Sequence, residues 1–452
     1  MRKHAIALAI EFAALAACAR PAPGAALAAR LSEGPDVIGI VHWGLNTYTD
    51  REWGYGGESP ELLAPANFDA DQIVRACKAG GLGGLVVVAK HHDGFCLWPT
   101  RTTEYNISNS PFGREGGRDY VREMEQACRR AGLKFGVYVS PWDRNSAHYG
   151  SERYVELYHE QIRELLCGDY GEVFEMWFDG ANGGDGWYGG AKERRTIGKD
   201  YYRFGEVFKM VRGLQPGITI FGGDRNDSDF RWPGNERGVL SDDSRATTLA
   251  LESPGFKAQM NTGSAAGEYF RACEADFPLR RGWFYHAGEE GTTKGALALA
   301  RIYAGTVGNG GTMNIGVAPD KSGVLCEADV RALAQFGAIR EALFADEVVE
   351  EGKPFNVVEL REDLSKGERV DGWRISCGDR TILSGTAIGN RRIRLLPKCE
   401  ESGKAKLEIT AGDAGADDVK MRCFHAPQEL VAAILGADSD FAETDTANWM
   451  AK

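Results

Sequence analysis

Histidine is scarce in this chain, with eight in 452 residues, and one of the eight is His4 at the extreme N-terminus. No H-x-H pair lies on a predicted strand, the spacing that aims two imidazoles at one metal, so a binuclear metal hydrolase is disfavoured. No cysteine pair has C-x-x-C spacing. Setting Cys18 aside leaves nine cysteines, an odd number, so neither a disulfide framework nor a zinc knuckle is indicated. Cys77 and Cys128 fall on apolar helical faces and read as small buried hydrophobes. Positive charge is not in excess either. Fifty-three Lys and Arg face 65 Asp and Glu, a net charge of −12. That balance argues against nucleic acid or an anionic membrane surface as partner, and leaves a neutral substrate open. No glycine-rich phosphate turn follows a strand, so a nucleotide-binding doubly wound sheet is unsupported. Beyond the first thirty residues, no apolar run approaches the length of a transmembrane helix.

Those first thirty residues read as a targeting segment. Met1-Arg2-Lys3-His4 is a basic start, and "AIALAIEFAALAACA" is an apolar run too short to span a bilayer, flawed by Glu11. Leu15-Ala16-Ala17-Cys18 resembles a lipobox, whose cysteine is lipidated after cleavage. Cleavage at the small residues Ala26-Leu27-Ala28 is the alternative. Either way the expectation is an exported protein, periplasmic or anchored through Cys18 as a bacterial lipoprotein.

From 31 to 345 strand-like and helix-like segments alternate. "VIGIVHW" (37–43), "LGGLVVVAKHH" (82–92), "KFGVYVS" (134–140), 173–179, "GITIFGGD" (217–224) and "GTMNIGVAP" (311–319) read as strands. Helices are expected between them, such as 68–81 with its Asp-rich start and Gly stop. Such alternation implies a parallel sheet with crossover helices. At this size a closed (β/α)8-like, TIM-type barrel fits best. Segments 346–426 switch to short strands with polar turns, a small C-terminal β-sandwich. Residues 427–452 read as an acidic tail.

In a (β/α) barrel the active site lies at the C-terminal strand ends. Here those ends carry His42-Trp43, His91-His92-Asp93, Tyr138 with Ser140, Trp177-Phe178-Asp179, and Asp224. Five such ends suggest a ring of side chains around one pocket. Asp179 can serve as a nucleophilic carboxylate on a rigid mount, or simply cap the turn at Gly180. A retaining glycosidase would need a second carboxyl about 5–5.5 Å away. Adjacent histidines on a strand point to opposite faces. As neutral imidazoles, His91 and His92 can bond sugar hydroxyls.

The blocks "VHWGLNTYTDREWGYG", "AKHHDGFCLWPT", "KFGVYVSPWDRN", "EMWFDGANGGDGWYGG" and "FRWPGNERG" occur in this order. Together they resemble the signature blocks of family 29 α-L-fucosidases, in the branch that acts on α-1,3/1,4 linkages. The resemblance covers roughly 36 to 345. It implies an exo-acting retaining mechanism on a (β/α) barrel, a fucosylated glycan as substrate, and no metal or other cofactor. Carried over block by block, Asp179 is the nucleophile and Glu236 the acid/base. His42, Glu52, Trp53, His91, His92, Tyr138 and Trp177 are sugar-binding positions, with Arg231, Glu274 and Trp283 expected near the site. The chain departs from the pattern in the acidic block "VLSDDSRATT" and in the long loop "GGDGWYGGAKERRTIGKDYYR". Both are expected on the aglycone side, where they would shape linkage preference. The sandwich also looks abbreviated at its start. Other readings are a retaining hydrolase of a related sugar such as an α-L-galactoside, a non-catalytic carbohydrate-binding lipoprotein, and a metal-dependent hydrolase.

Overall fold

The computed structural model describes residues 27, 28, 31 and 33–438, apart from 182, 224 and 290. Most of the targeting segment, Cys18 included, the strand-end Asp224 and the last fourteen residues of the tail therefore lie outside the described residues.

Eight parallel strands close into a barrel, each paired with its neighbours in sequence. They are β1 (Val37–Val41), β2 (Gly84–Lys90), β3 (Lys134–Val139), β4 (Glu175–Trp177), β5 (Thr219–Phe221), β6 (Phe230–Arg231), β7 (Ala272–Pro278) and β8 (Thr312–Val317). Register such as Val41↔Val317 closes β1 on β8. Both faces of the strands are buried, which is why they read as continuous apolar runs. On β2, Val86 and Val88 point into the barrel with Ile38, Ile40 and Phe230, whereas Leu85, Val87 and Ala89 face the helical layer.

Six helices cover the described barrel: α1 (Ala70–Ala79), α2 (Tyr120–Ala131), α3 (Glu152–Leu166), α4 (Phe204–Leu214), α5 (Ala296–Thr306) and α6 (Glu327–Phe344). Their ends follow the sequence cues. Asp69 caps α1 through the Gln72 amide. Asp119 caps α2 through the Arg122 amide, and Gly132 stops it at φ 72°, a left-handed conformation that suits glycine.

The sequence pattern missed β6 and β7. Only two residues of β6 pair, which is too short for a period to show. β7, "ACEADFP", carries Glu274 and Asp276 into the barrel, so its inward face is acidic rather than apolar. No helix follows β5 or β6 among the described residues. The 40-residue connection from β6 to β7 instead carries one short 3-10 turn, Phe256–Gln259, and the paired strands Thr247–Thr248 and Tyr269–Phe270.

The C-terminal unit is two three-stranded antiparallel sheets. One contains β9 (Pro354–Glu362) between β12 (Arg392–Glu401) and β14 (Val419–Phe424). The other contains β10 (Val370–Cys377) between β11 (Arg380–Gly385) and β13 (Ala405–Gly412). Phe355, Leu360, Trp373 and Ile375 belong to the core between them. The stretch expected to begin a tail forms a further helix instead, α7 (Gln428–Gly436). Its Val431 and Ile434 are fully buried in the cluster that contains the barrel's helical layer.

The acidic block 239–248 departs from its expected place. It does not border the cavity; it docks the sandwich. Asp243 accepts from Thr386 at 2.8 Å, Arg245 pairs with Asp371 at 2.9 Å, and the Ala246 amide donates to Glu368. Arg391 adds a buried tie, bonding the Tyr303 hydroxyl on α5 at 2.9 Å and pairing with Asp36.

The long loop after β4 also departs from expectation. Among the described residues, the cavity lining stops at Ala181. Beyond it the loop packs on the β3 connection: Tyr188 receives the Trp142 indole N–H at 3.2 Å, and the Gly189 amide bonds the Asn145 carbonyl. All nine described cysteines are free. Among the described residues no helix is long and apolar enough to cross a membrane.

Candidate active site

A cavity of about 480 Å³ opens at the C-terminal ends of the strands. β1 delivers His42, and the segment after it Glu52 and Trp53. The β2 end delivers His91 and His92, β3 delivers Tyr138, and β4 delivers Trp177 and Asp179. Arg231 ends β6, Glu236 lies in the β6–β7 connection, and Trp283 follows β7. Eleven of the twelve expected site residues therefore meet in one place.

Asp179 stands just past the mouth of β4. Its Oδ2 accepts from the Tyr138 hydroxyl at 2.9 Å and its Oδ1 from the Ala181 amide at 2.6 Å. Two donors fix the carboxylate in place. Gly222, at φ 78°, lies against the Phe178 carbonyl, where an added Cβ would collide. That close approach sets the β5 turn directly against the segment carrying Asp179. Tyr138 is held as a neutral phenol: burial, then the Asp179 charge, push it well above the ordinary tyrosine range.

His91 and His92 do not point to opposite faces. β2 ends at Lys90 after a register shift, so strand alternation no longer applies. Their rings lie 4.1 Å apart and both line the cavity. His92 Nδ1 meets Ser140 Oγ at 2.7 Å, and that hydroxyl already donates to the Trp142 carbonyl. The imidazole must therefore donate from Nδ1, leaving the Nε2 lone pair toward the cavity, 3.9 Å from Asp179 Oδ2. Burial lowers the His92 pKa to about 4, against the pull of Asp179. Burial and the neighbouring His92 lower His42 to about 3, and burial also takes His91 well below its ordinary value. All three are neutral hydrogen-bonding groups near neutral pH. Trp53 sets its ring edge-on to His92 at 5.3 Å.

Glu236 is a further carboxyl of the cavity, which Glu52 and Asp276 also line. Burial raises its pKa to about 7. The Trp283 indole N–H, 3.3 Å from Oε2, pulls it down, while the charges of Asp179 and Glu52 push it up. A carboxyl raised to about 7 keeps its proton for donation near neutral pH, as a general acid must.

Glu52 turns out to be a loop organiser as well as a lining residue. It accepts from the Trp283 amide at 2.9 Å, the Phe284 amide at 3.1 Å and His286 Nε2 at 2.6 Å. It thereby fixes the segment that carries Trp283. Arg231 lines the cavity but directs its guanidinium to the Met260 and Arg271 carbonyls, at 2.9 and 2.6 Å.

Glu274 does not reach the cavity. It is fully buried beneath it, receiving the Trp177 indole at 2.9 Å and the Asn314 amide at 2.8 Å. Glu175 lies beside it, and burial followed by the Glu274 charge raises Glu175 well above the ordinary range. The pair holds a proton under Trp177, whose upper surroundings include Phe221, stacked at 4.0 Å.

Sequence reasoning missed Phe221, Trp232, Asp276 and His286. Trp232 lies inside the quoted block "FRWPGNERG", but only the fold shows that the β6–β7 connection and β7 share the cavity.

The family model for α-L-fucosidase matches residues 32–341. α-L-Fucosidase 1 of Arabidopsis thaliana is 31% identical over 432 residues, covering 82% of this chain and 81% of its own. A putative α-L-fucosidase 1 of rice, Oryza sativa subsp. japonica, is 33% identical over 427 residues, covering 80% and 77%. A crystal structure of a glycoside hydrolase 29 family member from an unknown rumen bacterium superposes with TM-score 0.81 at 33% identity, covering 90% of this chain and 78% of that one. With a family model matching more than half of its length and relatives above 30% identity over most of it, the chain belongs to the α-L-fucosidase family, glycoside hydrolase family 29.

Proposed function

We propose that this chain is an exo-acting retaining α-L-fucosidase that releases terminal α-L-fucose, with α-1,3/1,4 linkages on oligosaccharides or glycoconjugates as its class of target. The observation that carries the reading is the pair Asp179 and Glu236: one carboxylate fixed by two donors, the other raised to about 7, in a single cavity. In the first step an Asp179 oxygen attacks the anomeric carbon while Glu236 gives its proton to the departing glycosidic oxygen. The C–O bond to the aglycone breaks and a glycosyl ester forms on Asp179. Esterification removes the Asp179 charge, one cause of the high Glu236 pKa. Glu236 then works as a base, taking a proton from the water that attacks the same carbon and frees Asp179. The neutral imidazoles and Tyr138 bond hydroxyls. Trp177, Phe221 and Trp283 supply apolar faces for the ring and the C6 methyl.

The test is the stereochemistry and its rescue. Wild-type enzyme should release fucose first as the α anomer, read by NMR. Asp179→Ala should lose at least about a thousandfold in kcat, and azide should restore part of it as a β-fucosyl azide. Wild-type activity in Asp179→Ala sinks the nucleophile assignment, and preference for an α-L-galactoside sinks the sugar.

Export belongs to the same proposal. Ala28 is fully buried in a cluster with Phe270 and Leu364, and Leu31 packs toward the barrel interior. Cleavage at Ala26–Ala28 would cut into these contacts, which supports processing upstream, at Cys18. The intact mass of the protein from its native host tests this: a chain beginning at a lipidated Cys18 is expected, and one beginning after Ala28 contradicts it.

A further inference from the structure

The cavity is larger than one sugar ring needs, and its volume falls within the roughly 300–1,000 Å³ of sites that bury larger ligands. Trp232 lines it, four residues before Glu236 in the same connection. It is one of the few large apolar side chains left in solvent, at 37% exposed. It is nevertheless fixed: its indole Nε1 donates to Asp276 Oδ1 at 2.9 Å. Asp276, on β7, is only 5% exposed and also lines the cavity. A solvent-facing indole pinned by a buried carboxyl is a poor use of apolar surface unless something covers the ring. A proton donor must reach the leaving oxygen, so the Glu236 side of the cavity is where the aglycone lies. The acidic block expected to shape that side faces the sandwich instead, as described above, and leaves Trp232 as the most exposed aromatic there, beside Phe256 and Trp283.

We propose that Trp232 is the platform on which the sugar that carries the fucose stacks, with Asp276 as the positioning residue that holds the indole in place. The preferred aglycone is then a pyranose with an apolar face, as in a fucosylated disaccharide or larger glycan, rather than a small alcohol. Aromatic faces pair with such rings at little conformational cost, because only two side-chain torsions must be fixed. This rests on the fucosidase reading above.

The experiment compares a fucosyl-disaccharide with methyl α-L-fucoside. Both leaving groups need the Glu236 proton, but only the disaccharide offers a ring to stack, so the ratio of the two kcat/KM values isolates the platform. Trp232→Ala should lower that ratio about tenfold, mainly through KM of the disaccharide, and Trp232→Phe should fall between it and wild type. Asp276→Ala, which removes the acceptor, should follow Trp232→Ala. Asp276→Asn, which keeps an acceptor for the indole, should restore the ratio. A ratio within about twofold of wild type in Trp232→Ala overturns the platform. A ratio unchanged in Asp276→Ala but lowered in Trp232→Ala overturns the positioning role. If the wild-type enzyme hydrolyses neither fucoside, the fucosidase reading itself has failed, an outcome distinct from both.

Discussion

Glu236 must enter the first step protonated and leave it ionised, so its surroundings set the working pH range. Below a pKa of about 7 the acid form dominates; above it each pH unit removes about tenfold of that form. For substrates with poor leaving groups, kcat/KM should therefore hold below pH 7 and fall above it. The Trp283 indole N–H stabilises the carboxylate, so Trp283→Phe should move this limb to higher pH. A pH–rate profile for both proteins checks the sign, and a limb that stays put or moves down refutes the assignment. The two carboxyl groups differ in how they can be read from the chain. Asp179 is visible at the end of an apolar run. Glu236 lies in a helix-free connection with no periodicity, and only the family block singles it out. Asp276 escapes altogether, because an acidic residue inside a barrel strand breaks the apolar pattern that reveals the strand.

Among the elements, the same physics separates what was legible from what was not. Strands buried on both faces, such as β2, announce themselves as β-branched runs, and α1 and α2 show their Asp caps and Gly stops. β7 has its inward side occupied by Glu274 and Asp276, stabilised by Trp177, Asn314 and Trp232 donors that come from other strands and loops. No local window contains those partners, so the carboxyl groups look like a polar loop. α7 was hidden for a related reason. Its Ala-rich sequence has a weak amphipathic pattern, and only contact with β12 and α5 decides that Val431 and Ile434 are core. The block 239–248 and the loop after β4 were placed in the right neighbourhoods of sequence but on the wrong surfaces. Charge in the first is matched by Arg245–Asp371 and by Thr386 across the sandwich, again a pairing over more than a hundred residues.

Across the whole molecule, the barrel mouth combines two sets of titratable groups whose folded pKa values move in opposite directions. His42 and His92 are lowered to about 3 and about 4. Their contribution to stability is present above the unfolded histidine value near 6.5 and is lost as pH falls below it. Asp93 is raised to about 8, by burial first and then by the charge of Glu58, and Glu236 to about 7. The folded state keeps these protons where the unfolded chain, with carboxyl pKa values near 4, has released them. Their contribution is thus present at low pH and declines as pH rises through the folded values. Only above about pH 7.5 are the histidines almost wholly neutral in both states, so the carboxyl groups govern the slope there. His286, raised by Glu52 and Asp50 against the opposing effect of its burial, acts in the same direction. Stability should accordingly fall between pH 7.5 and 8.5, each fully protonated group contributing up to about 1.4 kcal/mol per pH unit. Asp93→Asn replaces the neutral carboxyl with a neutral amide of the same shape and should make the decline shallower by about half a proton's worth. Denaturant midpoints at pH 7.5, 8 and 8.5 for both proteins measure the two slopes. Equal slopes would mean that Asp93 is already ionised in the folded protein, and a wild-type midpoint that rises over this range would reverse the sign of the argument.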